Sequence, residues 1–142
     1  MIQDIVNGIA KALRNEFGAG YPIYQHQVRQ GLRTPSFLVL LVAPLRTRQQ
    51  ARLWKQEHTF DVLYFPRDED DGGALYGVMD RMLGCLELIP YGDGFLRGTG
   101  RSAQVQDGVV HVTVHYTAWL RELPEEANME ELEQRLGTEA DP

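Results

Sequence analysis

Apolar and polar positions alternate most regularly between Val105 and Leu120. Val110, Val112, Val114, Tyr116, Ala118 and Leu120 fall on one face, against His111, Thr113, His115, Thr117 and Trp119 on the other. A period of two with a β-branched and aromatic bias predicts a long strand with one face on a core. Asp107-Gly108 just before it predicts a tight hairpin turn, because glycine supplies a positive φ without steric cost. The outgoing strand is then Phe95 to Gln106, where Gly98 and Gly100 predict a bulge.

Two stretches follow helical spacing instead. Ile2, Ile5, Val6, Ile9, Ala10, Leu13 and Phe17 predict an amphipathic helix that Gly18-Ala19-Gly20 ends. Leu75, Val78, Met79, Met82, Leu83, Leu86 and Ile89 predict a second helix, stopped by the segment Pro90 to Gly94. Between the helices, Tyr21 to Gln27 has strand character with a proline suited to a strand start or an edge. Ser36 to Ala43 is apolar on both faces, as a central strand covered on both sides would be, and Pro44 ends it. His58 to Phe65 alternates again before Pro66. Leu45 to Gln56 fits either a strand edge or an irregular basic loop. Pro124 to Leu136, with Met129, Leu132 and Leu136 on one stripe, predicts a short acidic helix ahead of a frayed tail.

This order predicts an α+β fold: a mostly antiparallel sheet of about five strands, two main helices packed on one face, and a short C-terminal helix. Residues 1–123 form the expected domain and 124–142 an acidic C-terminal helix and tail. A chain of 142 residues fits one domain, and 43% hydrophobic with 24% charged residues is ordinary for a folded one. The longest apolar run, Phe37 to Pro44, is far short of the roughly 20 residues that span a bilayer, so no membrane partner is expected. The N-terminal helix carries an acid and does not read as a signal peptide. The single cysteine, Cys85, excludes a disulfide framework and suits a reducing compartment.

The net charge of −6 argues against free nucleic acid as the main partner. Its distribution is uneven. Arg29, Arg33, Arg46, Arg48, Arg52 and Lys55 lie in a stretch without an acid, while Glu122 to the end holds eight acids and one base, Arg135. Two solvated faces on a monomer, or oppositely charged faces meeting in a head-to-tail ring, would both account for this.

Candidate chemistry is thin. His111 and His115 have metal-pair spacing for a helix, but on a strand they lie about 13 Å apart, too far for one zinc. Asp68, Glu69, Asp70 and Asp71 offer the hard oxygens calcium needs, without EF-hand spacing or a closing glutamate. The glycine pairs Gly92/Gly94 and Gly98/Gly100 do not lead into a helix N-terminus, as a phosphate cradle would. Cys85 sits among apolar neighbours and reads as a small core side chain. Ser36 and Ser102 lack nucleophile context. No acid, base and nucleophile set emerges, so no enzyme, cofactor or metal site is expected.

The order of motifs resembles the phage tail terminator-like proteins of tailed bacteriophages, prophages and phage-derived contractile particles. The resemblance rests on the N-terminal helix, Tyr21-Pro22-Ile23-Tyr24, and Gln30-Gly31-Leu32-Arg33-Thr34-Pro35-Ser36-Phe37 followed by an apolar strand. His58-Thr59-Phe60-Asp61-Val62-Leu63-Tyr64-Phe65-Pro66 and Val109 to Tyr116 complete it. It covers roughly residues 1–121. It implies a homohexameric ring on the head-proximal end of a virion tail tube, assembled in the host bacterial cytoplasm. Such a ring ends tube polymerisation and gives a surface for joining the head. Its partners would be the tail tube protein, a neck or connector protein and, in a contractile tail, the sheath protein. DNA would pass through without sticking. Arg29, Arg33, Arg46, Arg48, Arg52 and Lys55, with Asp68, Glu69, Asp70 and Asp71, are the candidate contacts between subunits. Another head–tail connector, or a small-ligand or metal-binding module, are the alternatives.

Overall fold

The computed structural model describes residues 1–26, 31–67 and 72–121. Its elements run α1 (Ile2–Phe17), β1 (Ile23–Tyr24), β2 (Ser36–Gln50), β3 (Leu53–Phe65), α2 (Gly72–Cys85), β4 (Leu88–Tyr91), β5 (Gly94–Gln106) and β6 (Val109–Arg121). They build one six-stranded sheet in the order β1-β2-β3-β6-β5-β4. The sheet is mixed, because β1 pairs parallel to β2 through Ile23↔Phe37 and Tyr24↔Leu38, while the other pairs are antiparallel.

The fold is α+β as expected, with three corrections. The sheet has six strands rather than about five. The added strand is β4, in residues that apolar spacing had assigned to the end of the second helix. α2 stops at Cys85, where Leu86 N–H donates to Met82 O at 3.1 Å and Glu87 N–H to Gly84 O at 3.3 Å. Ile89 is buried in the same core from a strand instead, and Pro90, which has no N–H to give a ladder, sits on the sheet edge opposite Phe95. Second, Leu45 to Gln56 is regular: β2 runs on to Gln50 and β3 begins at Leu53, with only Ala51-Arg52 between. Third, the expected strand Tyr21 to Gln27 shrinks to two residues. The helix expected over Pro124 to Leu136 lies outside the described residues.

Both helices cover the face that carries Phe60, Val62, Val110, Val112, Val114 and Tyr116, all fully buried. α1 contributes Ile5, Ile9 and Leu13, spaced to share one side of the helix, and α2 with its following turn contributes Leu75, Met82 and Leu86. Each such side chain, withdrawn from water, stabilises the fold by about 1.5–3 kcal/mol. Phe17, Tyr21, Phe37 and Tyr64 close one end of this core, with the Phe17 and Phe37 ring centres 4.9 Å apart and those of Phe37 and Tyr64 5.1 Å apart. The helices are tied together by Arg81, which donates to the Glu16 carboxylate at 2.9 Å and to its backbone oxygen at 2.7 Å, and lies 4.2 Å over the Phe17 ring.

Two predicted turns hold. Asp107 (φ 54°) and Gly108 (φ 76°) both take positive φ, the geometry of a type I′ hairpin turn between Gln106 and Val109. The β5–β6 register slips between Thr99 and Ser102, and Gly100 at φ 58° makes the bulge.

Candidate assembly surface

β2, β3 and β6 continue past the last pairing of β5 with β6, Gly98↔Tyr116. Pairing continues from Pro44↔His58 to Gln50↔Leu53 on one side and from His58↔Tyr116 to Leu53↔Arg121 on the other, making a three-stranded arm. β1 pairs only with Phe37 and Leu38, so beyond Leu38 that side of β2 has no strand partner among the described residues. Bulges at Val42 and Gln49 and the missing N–H of Pro44 break the regularity of this edge, as edges that avoid indiscriminate pairing do. Leu41, Val42 and Leu45 stand exposed along it.

The arm gathers the basic residues. Arg46 and Arg48 face the helix side, Lys55 the opposite side, and Arg52 sits in the turn. Register brings Arg121 to the same end, opposite Leu53. Two tryptophans organise these charges. The Arg48 guanidinium lies 4.4 Å over the Trp54 ring and donates to Ala51 O at 2.6 Å, while the Lys55 ammonium lies 5.9 Å over Trp119 and 3.6 Å from Glu57. Stacking of this kind holds a cation in place. Trp119 is 55% exposed.

A buried hydrogen-bond chain fixes the root of the arm. The Tyr116 carbonyl can only accept, so His58 Nδ1 carries the proton and donates to it at 3.2 Å. His58 Nε2 then accepts from the Gln56 amide at 2.8 Å, and Gln56 Oε1 accepts from Arg46 Nε at 2.8 Å. His58 is fully buried and Gln56 nearly so. Burial pushes the His58 pKa below its ordinary value, against the Tyr116 hydrogen bond and with help from the nearby N-terminal ammonium and Arg46. Met1 and Trp54 cover Leu120 next to this root.

Other expected sites resolve differently. Arg33 lies away from the arm, at a cleft with Arg14 and Arg67. Arg29, Asp68, Glu69, Asp70 and Asp71 lie outside the described residues. His111 and His115 sit on β6 and turn to separate partners, Asp61 at 3.4 Å and Thr59 at 2.8 Å. Burial pushes the Cys85 thiol up to about 12, which keeps it a neutral thiol packed at the core. Sequence reasoning missed Arg121, Trp54 and Trp119. Only the strand register, which a sequence does not print, places them beside the bases of the β2–β3 hairpin.

The described residues thus form a helix-backed sheet that carries a charged, tryptophan-bearing arm. The chain belongs to the phage tail terminator protein family, whose model matches residues 4–128. It is thus a structural protein of the phage tail, resident in the virion tail and in contact with other tail proteins. No curated protein matches the sequence. Several solved structures are similar, among them one at 13% identity and a TM-score of 0.47, covering 88% of this chain and 99% of that one.

Proposed function

We propose that the chain assembles head to tail into a ring, six copies in all, that caps the head-proximal end of the tail tube. The ring ends tube polymerisation and gives the head, through a neck or connector protein, its surface of attachment. In a contractile tail it also meets the last sheath ring, and DNA passes through it without adhering. Family membership supports the tail role, and the arm is the observation that carries the contact. A three-stranded arm with cations on both faces and an exposed tryptophan suits a heterologous interface, in which one surface of a subunit meets a different surface of the next. Arg46, Arg48, Arg52 and Lys55 are the contact residues on the arm in this reading.

Native mass spectrometry of the purified protein, with and without tail tubes, tests it. The expected result is a closed oligomer that co-sediments with tubes. A strict monomer at high concentration that never co-sediments would contradict it.

A further inference from the structure

The arm is strongly cationic for its size. Residues 44–57 and 116–121 carry five bases, Arg46, Arg48, Arg52, Lys55 and Arg121, against one acid, Glu57. Arg52 and Arg121 form no ion pair with a described residue. Pairing of β5 with β6 stops at Gly98↔Tyr116, so residues 117–121 have no strand partner on that side among the described residues. Like charges gathered this closely repel one another and favour carboxylates brought among them.

A dense run of carboxylates starts where the arm ends. Residues 122–142 hold eight acids and one base, and Glu122, Glu125 and Glu126 come first. They follow Arg121, which pairs with Leu53 at the tip of the arm, next to Arg52. Arg48 pairs with Trp54 and Trp54 with Leu120, so Arg48 lies two strand spacings, about 10 Å, from Leu120. Lys55 pairs with Trp119, two residues or about 7 Å back from Arg121. Five residues cover about 7 Å if helical and about 17 Å if extended, and the side chains add to that, so the contact needs no particular backbone conformation. The other acidic run, Asp68 to Asp71, is tethered beyond Phe65 at the opposite end of β3, roughly 40 Å from the tip. One exposed ion pair contributes little, but a tether makes several of them intramolecular, at an effective concentration on the order of millimolar. From these placements we infer that residues 122–142 lie against the arm of their own chain and shield its cations, and that a second copy must displace them to engage the arm. The shielding stands on tether and charge, while the displacement rests on the ring reading.

The test compares the wild-type chain with a full-length chain whose segment is neutralised (E122Q/E125Q/E126Q/E130Q/E131Q/E133Q), each titrated with a labelled synthetic peptide of residues 122–142. Anisotropy should show the neutralised chain, its arm uncovered, binding the peptide at least tenfold more tightly than the wild type. That binding should weaken steeply with salt, because exposed charge pairs are screened within about 10 Å at 0.1 M. Adding R48E/R52E/K55E should abolish it. If that variant does not fold, R48Q/R52Q/K55Q serves in its place. Absence of binding to the neutralised chain, or equal binding to it and the wild type, overturns the inference. So does binding that survives the arm changes, or that R14E/R33E/R67E removes instead, which would place the segment at the arginine cleft. Assembly then separates shielding within a chain from exchange between copies. In native mass spectrometry the neutralised chain should oligomerise at a concentration at least tenfold below that of the wild type. An unchanged or higher threshold overturns the inference, the higher one marking a segment that binds the next copy. Failure of the ring reading would appear separately, as two chains that both stay monomeric while the difference in peptide binding holds.

Discussion

At the scale of single residues, the most constrained group is His58. The chain Arg46–Gln56–His58–Tyr116 is satisfied only with a neutral imidazole, because Nε2 must accept from Gln56 while Nδ1 donates to Tyr116. The unfolded chain takes up a proton near the ordinary value of 6.5, whereas the folded protein resists it. The unfolded state therefore binds more protons below that pH. The contribution of His58 to stability is complete above about 6.5 and is lost as pH falls toward its lowered folded value. Melting temperature measured from pH 7.5 to 5.5 should fall more steeply for the wild type than for H58Q, and parallel slopes would refute the assignment. Tyr116 makes a second such prediction. Its hydroxyl is buried and donates to Leu86 O at 2.7 Å, and burial raises its pKa so that it stays protonated. Y116F should destabilise by about 1–3 kcal/mol in urea unfolding, since a buried carbonyl loses its donor.

At the scale of elements, the closest approach is between α1 and β4. A Cβ at Gly8 would run into the Pro90 carbonyl oxygen and lie 3.3 Å from the Ile89 side chain. Alanine gains about 1 kcal/mol in helix propensity over glycine, yet the backbone clash forces α1 off the sheet edge. G8A should therefore destabilise the protein, by about 1–3 kcal/mol net, by chemical denaturation. A neutral or stabilising effect would mean that helix and strand are not packed this closely. These elements also mark how far the sequence reads. β6, the β5–β6 turn, the Gly100 bulge and α1 were legible because each is set by local periodicity or by a φ that glycine permits. β4 was not, since Leu86 and Ile89 keep helical spacing while facing the core from a turn and a strand. The outer arm was not either. Its residues are exposed on β2, so no alternation of buried and polar positions marks them, and strand pairing alone makes them regular.

At the scale of the whole molecule, two positive groups lie apart, the bases of the arm at one end of the sheet and the arginine cleft at the other. Only part of this site was readable from the sequence. The basic run was visible, but its division into an arm group and a cleft group, and the recruitment of Arg14, Arg67 and Arg121, follow from tertiary placement. If the arm carries the contacts between subunits, R48E/R52E should dissociate the oligomer in native mass spectrometry at concentrations where the wild type is assembled. These positions avoid Arg46, whose loss would also break the buried chain.

If the protein ends tail growth, tail length reports it directly. Electron microscopy of particles assembled without this protein should show tails longer than normal and without heads. Tails of normal length that merely lack heads would contradict the claim and assign the protein to head joining alone.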